Sequence, residues 1–268
     1  MDTISAFRLV DKHDTATLRW LQAATAPQKD IRRTMQAIGV HEGQVATTNG
    51  FALHIIEPVP IPLENLAPGL WLVNNLKTIS ARFTGLVACE RIEEKFPGTD
   101  SILDGVVNHA AYGVVSVSKA NLIKAVECVP TNDTGLLSIT MFAPGSALVV
   151  SSINLECVTA SITVPTGVAI GHKKALATAY SREQAETPGP TEYAIVCANK
   201  DLLLAALRDM PVDDSIVLEF QKASVPFSIT GKHNGSTATA IIMPMMYNGQ
   251  DVADRVEAIE EWRASLVK

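Results

Sequence analysis

Short runs of alternating hydrophobic and polar residues fill most of the chain, and they predict β-strands. Asp14 and Ser118 stand where helices need an N-cap, because each precedes a stretch in which apolar residues recur every three or four positions. Such stretches predict helices over 15–24, 74–84, 118–129, 199–210 and 251–266. The last of these is acidic and amphipathic.

The predicted strands are bounded by turn residues such as Asn49-Gly50. They cover 6–10, 30–41, 43–48, 51–57, 71–73, 86–92, 114–117, 136–142, 147–151, 155–164, 193–197, 216–220, 227–230 and 238–243. The order strand, helix, strands, helix, strands occurs clearly over 113–247 and in a shorter form over 5–105.

This order predicts an α+β fold. We expect two similar domains, at 1–112 and 113–247, each with helices packed on an antiparallel sheet. Residues 248–268 are expected to form an acidic helical extension.

The composition supports a folded core and limits the classes of function. Hydrophobic residues make up 47% and charged residues 19% of the 268 residues, which excludes an intrinsically disordered chain. With 22 basic and 28 acidic residues the formal net charge is −6, which excludes a polycation that coats nucleic acid by bulk charge. A local basic surface stays compatible with this balance.

Signals for catalysis, metal binding and targeting are absent from the sequence. The four cysteines and six histidines are scattered without the spacing of a metal site, and no phosphate loop or catalytic serine motif occurs. No apolar run reaches the roughly 20 residues of a membrane helix, and no secretory signal is visible. We therefore expect a cytoplasmic, non-catalytic protein without metal or cofactor. A cysteine and a histidine that meet only in the fold remain an open nucleophilic alternative.

Three separate segments carry motifs that occur together in one protein family. Residues 30–35 (DIRRTM) and 46–53 (ATTNGFAL) are similar to a strand that enters an A-T-D-G-x-R-L turn. Residues 95–103 (KFPGTDSIL) are similar to an interdomain segment, R-F-P-D-Y-x-x-V-L-P. Residues 198–207 (ANKDLLLAAL) and 241–246 (IIMPMM) are similar to a last helix, F-N-x-x-Y-L-x-x-x-L, and a near-terminal strand, V-M-P-M-R-L. Together they resemble the bacterial replicative sliding clamp, the beta subunit of DNA polymerase III.

The resemblance covers nearly all of 5–247, and the chain departs from the motifs at several positions. Asn49 replaces the family's Asp, and Ala52 and Met246 replace two of its Arg residues. Gly98-Thr99 stands in place of D-Y. The family's N-terminal domain has no counterpart, and the first domain is expected to lack strands. The resemblance implies a divergent two-domain clamp whose usual peptide specificity is in doubt.

Clamps of this family encircle duplex DNA with a ring of six similar domains, whose helices line the hole. With two domains per chain, the resemblance implies a homo-oligomeric ring of three chains in head-to-tail order. Contacts to phosphates would let the ring slide, because phosphates carry no sequence information. Basic residues of the predicted inner helices and the strand after the first helix are the candidates for DNA binding: Lys12, Arg19, Lys29, Arg32, Arg33, Lys119, Lys124, Lys200 and Arg208. The alternative for each is an ordinary solvated surface.

The family also binds short peptides of polymerases and clamp loaders in an apolar groove between two domains. Carried over by motif, the walls of this partner pocket would be Arg32, Met35, Gly50, Phe51, Ala52, Leu53, Pro97, Ile102, Asn199, Leu202, Met243, Pro244, Met245 and Met246. Methionine-rich surfaces adapt to varied apolar anchors. The alternative is that these methionines belong to the core.

Three classes of function follow from these observations. The resemblance implies a DNA polymerase processivity factor that encircles duplex DNA and tethers its partners. A second hypothesis is a clamp-derived module that binds replication or repair proteins without forming a ring. A third is an unrelated α+β enzyme. The mass in solution separates the first two, because only closure into a ring produces a hole.

Overall fold

Strands and helices alternate along the part of the chain that the computed structural model describes, which is residues 4–73, 83–97, 113–131, 135–142, 148–153, 158–164, 193–220 and 225–245. The strands are β1 (Ile4–Leu9), β2 (Ile38–His41), β3 (Gln44–Thr48), β4 (Ala52–Glu57), β5 (Gly69–Val73), β6 (Gly85–Ile92), β7 (Gly113–Ser118), β8 (Leu136–Phe142), β9 (Leu148–Ile153), β10 (Val158–Val164), β11 (Tyr193–Asn199), β12 (Ser215–Phe220), β13 (Phe227–His233) and β14 (Ser236–Ile242). The α-helices are α1 (Lys12–Ala23), α2 (Lys119–Cys128) and α3 (Lys200–Leu207). Short 3₁₀ helices lie at Arg33–Gln36 and Ile61–Leu63.

One order of elements recurs in the chain, a strand followed by a helix and three strands. It occurs as β1, α1 and β2–β4, again as β7, α2 and β8–β10, and a third time as β11, α3 and β12–β14. The strands whose register is described pair antiparallel. The α+β fold class is therefore confirmed. The predicted helices over 74–84 and 251–266 lie mostly or wholly outside the described residues.

The predicted start of the first helix is wrong by three residues. Asp11, not Asp14, is the N-cap, and its carboxylate accepts the backbone N–H of Asp14 at 2.9 Å. The Asp14 carboxylate in turn accepts the N–H of Val10 at 2.8 Å. This reciprocal capping begins the helix at Lys12.

The predicted strand over 30–41 is wrong over its first two thirds, because β2 begins only at Ile38. The Asp30 carboxylate accepts the backbone N–H of Arg32 at 2.9 Å, which makes a tight turn, and a 3₁₀ helix follows at Arg33–Gln36. The predicted end of the helix over 199–210 is also wrong. That helix ends at Leu207, and Asp209 then takes a left-handed backbone with φ 55°.

The chain forms two compact units, and each is assembled from several segments. Unit 1 comprises Met1–Asp104, Ala205–Asp213 and Ile229–Ile241, and unit 2 comprises Gly105–Leu204, Asp214–Ser228 and Ile242–Lys268. The predicted domain boundaries at 1–112 and 113–247 stay a prediction.

Unit 1 is a sheet with α1 packed on β3 and β4. Its strand order is β1-β6-β5-β2-β3-β4, followed by β14 and most of β13. Leu18, Trp20 and Leu21 of α1 are almost completely buried. The backbone of α1 is also bonded to the sheet, because Thr47 Oγ1 donates to the Leu21 carbonyl at 2.6 Å and His54 Nδ1 lies 2.8 Å from the Trp20 carbonyl. The core thus fixes both the side chains and the backbone of α1.

Unit 2 contains the antiparallel pair β7–β12 and a four-stranded sheet of order β10-β9-β8-β11. Helix α2 packs against β7 and β10. Its buried side chains include Leu122 and Val126, and the strands contribute Leu137, Ile139 and Val149. The spacing of Leu122 and Val126 by four residues is that of one helix face, as the sequence predicted.

Candidate nucleic-acid and partner-binding surfaces

Each of the three helices in the described part of the chain begins with a lysine. Lys12, Lys119 and Lys200 are the first residues of α1, α2 and α3. A cation at this end of a helix is unfavourable by several tenths of a kcal/mol, because the helix dipole is positive there. Helix stability therefore does not explain why a lysine stands at the first position of each helix. Another role has to be considered for each lysine.

The basic residues of α1 differ in their surroundings. Lys12 is exposed and makes no ion pair or side-chain hydrogen bond within the described ranges. Arg19 lies one-third exposed and forms an ion pair with Asp209, at 2.9 Å between Nη2 and Oδ2. Arg208 precedes this aspartate in the same unit and is exposed. Unit 1 thus brings Arg19 close to Arg208, whereas Lys12 is seven residues away along α1.

The basic segment before β2 is largely neutralised. Arg32 forms two hydrogen bonds to the Asp30 carboxylate, at 2.9 and 2.6 Å. These bonds lower the pKa of Asp30 to about 2 and raise the pKa of Arg32. Arg33 Nη2 lies 3.4 Å from Glu90 Oε1. Lys29 is exposed and has no ion pair among the described residues.

Helix α2 is held at its N-terminus by two residues. Ser118 is the N-cap, and its Oγ accepts the N–H of Asn121 at 3.2 Å. The Asp214 carboxylate accepts the Ser118 hydroxyl at 2.6 Å and the Ala120 N–H at 2.9 Å. These hydrogen bonds lower the pKa of Asp214, and the charges of Lys119 and Lys124 contribute to the same shift.

Lys200 has a structural role that the sequence did not reveal. Its ammonium donates to the carbonyls of Glu127 and Val129 at the C-terminus of α2, at 3.1 and 2.7 Å. A cation there satisfies carbonyls that lack partners within the helix and interacts favourably with its dipole. The lysine at the first position of α3 therefore stabilises the C-terminus of α2.

The predicted partner pocket has one part in unit 1, around the Asn49-Gly50 turn. The Asn49 side chain accepts the N–H groups of Phe51 and Ala52 at 2.8 and 2.9 Å, and Gly50 has φ 89°. A Cβ atom at Gly50 would lie 3.8 Å from Met35 Cε and 3.9 Å from Arg32 Nη1. Gly50, Met35 and Arg32 therefore meet at this turn.

The remaining residues of this part of the predicted pocket differ in how far they are buried. Phe51 is 63% exposed and Met35 is partly buried. Ala52 and Leu53 are buried and belong to the core. Ile31, which sequence reasoning missed, is 95% exposed. A signal for this exposure was present in the sequence, because Ile31 follows the turn residue Asp30 and the central side chain of a turn is not buried.

The Phe96-Pro97 segment is fixed to strand β2. A Cβ atom at Gly39 would lie 2.9 Å from Phe96 Cδ2, so the ring covers this glycine. The rings of Phe96 and His41 meet edge to face with centroids 5.4 Å apart. Pro97 is partly buried, and Ile102 lies outside the described residues.

The other part of the predicted pocket lies in unit 2. Met243 and Met245 are 41% and 40% exposed, so neither is a core residue. The Met245 N–H donates to the Cys197 carbonyl at 2.8 Å, which fixes this segment beside the end of β11. Asn199 caps α3 by accepting the N–H of Leu202 at 3.1 Å. Pro244 and Leu202 are partly buried, and Met246 lies outside the described residues.

Two observations in the described part of the chain concern metal and thiol chemistry. Its histidine, cysteine and acidic side chains form no group of three or more that could hold a metal ion. Burial raises the pKa of the Cys89 thiol to about 11, which disfavours the nucleophilic thiolate. Among the described helices, none is long and apolar enough to cross a membrane.

Comparison with known proteins relates the fold to one group of structures. No family model and no curated protein matches the sequence. The DNA polymerase sliding clamp of Bacillus subtilis matches 91% of this chain with a TM-score of 0.63 and 11% identity. DNA polymerase III subunit beta of Borrelia burgdorferi and the beta chain of Streptococcus pneumoniae each match 92%, with a TM-score of 0.63 and 12% identity.

The match covers most of this chain but only part of each clamp. The aligned region is 65% of the Bacillus subtilis and Streptococcus pneumoniae chains and 63% of the Borrelia burgdorferi chain. At identities this low the comparison concerns the backbone fold alone. The described residues have the α+β fold of bacterial DNA polymerase sliding clamps.

Proposed function

We propose that this protein is a sliding-clamp-like processivity factor, which encircles duplex DNA and tethers a DNA polymerase. The fold shared with bacterial sliding clamps is the observation that carries this proposal. The protein would act in the cytoplasm without catalytic activity or cofactor of its own. Its contacts to DNA would be made to phosphates and would not depend on sequence.

The distribution of charge favours the helices as the DNA-binding elements. The whole chain has an acidic excess, with 28 acidic and 22 basic residues. The three described helices, α1, α2 and α3, show the opposite balance. Their basic residues are Lys12, Arg19, Lys119, Lys124 and Lys200, and their acidic residues are Asp14, Glu127 and Asp201. An acidic protein would approach DNA with such a locally basic surface.

Among the nine candidates, Lys12, Lys29 and Lys124 are the strongest. All three are exposed, and Lys12 stands at a helix N-terminus where it does not stabilise the helix. The ion pairs of Arg19, Arg32 and Arg33 would have to open or reorganise before these residues bind phosphate.

We further propose that three chains close the ring. The resemblance implies six domains in a ring, and each chain forms two compact units. Head-to-tail contacts with closed three-fold symmetry would use the same pair of surfaces at every junction. The mass in solution would then be three times the chain mass of 28.7 kDa.

Retention on DNA tests this proposal. A closed ring, loaded with its own clamp loader where one is needed, stays on a circular duplex at high salt and leaves a linear duplex through its ends. We expect this difference for the wild-type chain, together with a three-chain mass. Equal retention on both templates, with a one-chain mass, would instead identify a clamp-derived module that does not form a ring.

A salt titration tests the DNA contacts. Replacing Lys12 and Lys124 by Met should lower the slope of log affinity against log salt by about 0.9 for each lost phosphate contact. The loss should be the same for every DNA sequence. Replacing the exposed Lys232 by Met is the matched control, because this lysine belongs to strand β13 and not to a helix.

We also propose that polymerase and clamp-loader peptides bind the exposed apolar residues at the predicted pocket positions. Among these positions Phe51, Met243 and Met245 are exposed and Met35 is partly buried. The buried Ala52 stands where the family's motif has an arginine, so this turn lacks that charge. Flexible methionines suit a site that receives several partners.

Peptide binding by charged variants tests this surface. Met245→Asp should reduce the affinity for polymerase-derived peptides at least tenfold, because it places an unpaired charge at an apolar anchor site. Ile61→Asp is the control, since Ile61 is an exposed apolar residue, 78% exposed against 40% for Met245, and lies in the 3₁₀ helix after β4. Unchanged peptide binding by a folded Met245→Asp chain would show that the partner peptides bind at another surface.

A further inference from the structure

Asp209 is a residue that its local surroundings do not favour. It follows the end of α3 with φ 55°, in the left-handed position where glycine or asparagine is usual. It also places a negative charge at the negative end of the α3 dipole. A glycine would remove both penalties, so the geometry of this helix end does not explain the aspartate.

The partner of Asp209 lies on α1. Its Oδ2 is 2.9 Å from Arg19 Nη2, and the Asp209 and Arg19 side chains are 36% and 34% exposed. The core already joins the same two regions, because the Trp20 indole donates to the Ala206 carbonyl at 2.7 Å. An ion pair this exposed adds little stability to such a contact. Stability therefore does not account for the pair either.

Arg19 belongs to the outward face of α1. The members of this face recur at intervals of three or four residues and are exposed or partly buried: Lys12, Ala16, Arg19 and Ala23. Two cations separated by a small side chain form a surface that suits a phosphate backbone. Asp209 adds a carboxylate to this face from outside the helix, and it occupies guanidinium donors that a phosphate oxygen would use.

The carboxylates of Asp30 and Glu90, which also hold candidate arginines, differ from that of Asp209. Asp30 accepts the backbone N–H of Arg32 as well and forms the local turn, which accounts for its presence. Glu90 lies 3.4 Å from Arg33, at the long end for an ion pair. The Asp209 carboxylate forms a shorter pair and makes no other hydrogen bond within the described ranges. Asp209 is therefore the carboxylate whose presence depends most on its arginine.

We propose that Asp209 is an autoinhibitory residue of the DNA surface, whose carboxylate takes the place of a DNA phosphate at Arg19. The inference rests on the proposed function, in which the helices contact DNA. Asp209 keeps the Arg19 guanidinium out of the contact, so the outward face of α1 binds the duplex through fewer phosphates. Fewer phosphate contacts weaken the hold on DNA equally for every sequence, which suits a protein that slides.

The affinity of the full chain for a short DNA duplex across a salt series tests this role. Asp209→Asn removes the charge but keeps a residue that accepts the left-handed backbone. It should bind at least about threefold more tightly at low salt and raise the salt slope by about 0.9, the value of one added phosphate contact. Glu42→Gln is the matched control, since it removes the same charge from the exposed turn between β2 and β3. Its slope should equal that of wild type.

A double variant tests whether Arg19 carries the effect. Arg19→Gln alone should leave the slope close to that of wild type, because Asp209 already occupies the guanidinium. When Arg19→Gln is combined with Asp209→Asn, the gain of the second change should disappear. A gain that survives without Arg19 would overturn the proposal, and so would a slope for Asp209→Asn equal to that of wild type.

Urea denaturation separates this role from a structural one. The midpoint of Asp209→Asn should stay near that of wild type, and Asp209→Gly should raise it because glycine suits the helix end. Lower midpoints in both Asp209→Asn and Arg19→Gln, with DNA binding unchanged, would identify the pair as a structural contact and overturn the proposal. A wild-type chain and variants that all fail to bind the duplex would contradict the DNA contacts themselves and this role with them. Equal retention on circular and linear DNA would contradict the ring alone.

Discussion

Helices α1 and α2 occupy the same place in the recurring order of strand, helix and three strands, but they are held in different ways. Helix α1 is capped by its own residues, Asp11 and Asp14, and anchored in the core by Trp20. Helix α2 has a distant residue at each end, Asp214 at the N-terminus and Lys200 at the C-terminus. One helix is fixed from its middle and the other from its ends.

The difference determines which conditions should disturb each helix. Trp20 stacks on His54 with ring centroids 4.1 Å apart, and its indole N–H donates to the Ala206 carbonyl at 2.7 Å. Such buried contacts respond to changes of volume and of protonation. Asp214 and Lys200 act through charges near the surface, which respond to salt. The two helices that carry the proposed DNA contacts are therefore stabilised by different kinds of interaction.

Truncation of the buried anchor should have the largest effect. Trp20→Ala removes the ring, its stack on His54 and the bond to Ala206, and should lower the free energy of unfolding by about 4 kcal/mol. Urea denaturation measures this change. Leu122→Ala, at a fully buried position of α2, is the matched truncation and should cost about 3 kcal/mol. A loss below about 1 kcal/mol for Trp20→Ala would mean that the buried contacts of Trp20 contribute little to the stability of α1.

Low pH should have the second-largest effect, because it acts on the buried histidine that packs against α1. Burial lowers the pKa of His54 from 6.5 to about 4, and the bond to the Trp20 carbonyl opposes this shift. Because a carbonyl can only accept, Nδ1 carries the proton of the neutral ring, and Nε2 is buried without a partner.

Above pH 6.5 neither the folded nor the unfolded chain protonates this ring, so it adds no pH dependence. Between pH 6.5 and about 4 the unfolded chain binds a proton that the folded chain does not. The free energy of unfolding should therefore fall by about 3 kcal/mol across this window and no further below it. Urea midpoints at pH 7 and pH 4.5 measure the change. His54→Phe should lose this part of the pH dependence, and an unchanged slope would contradict the assignment.

The ends of α2 should show the smallest effects. Asp214→Ala removes the acceptor for Ser118 and Ala120 and should cost about 1 kcal/mol. Lys200→Met should cost about 0.5–1 kcal/mol, because it removes the ammonium that donates to the Glu127 and Val129 carbonyls at the helix C-terminus. Both losses should shrink when urea denaturation is repeated in 1 M salt, whereas the loss in Trp20→Ala should not. An equal salt response in all three variants would remove the distinction between the two helices.

Local features of the fold could be predicted from the sequence because their partners are near in the chain. The cap at Ser118 and the turn at Asn49-Gly50 depend on neighbouring residues, and both are confirmed. The error at Asp14 is of the same kind, because two aspartates three residues apart both suit a cap. Only the reciprocal bonds show which of them begins the helix.

Long-range contacts could not be predicted in this way. Lys200 stands beside α3 in the sequence, so its charge indicated DNA binding, but its partners at the end of α2 are 71 and 73 residues away. The sequence could propose Met245 and Leu53 for one surface by motif, yet not that the first is exposed and the second buried. Burial depends on which strands become neighbours, and periodicity alone does not specify that.

The bond from Trp20 to Ala206 has a consequence for how the protein is made. Its two partners are 186 residues apart, and a ribosome that adds about 5–20 residues per second needs about 10–40 s to cover that distance. Strand β14, the neighbour of β4, emerges later still. Until then the nascent chain carries an unfinished sheet with an open edge at β4 and an indole without its acceptor. Newly synthesised chains should therefore need chaperone protection over this interval, and a chain released early should be degraded.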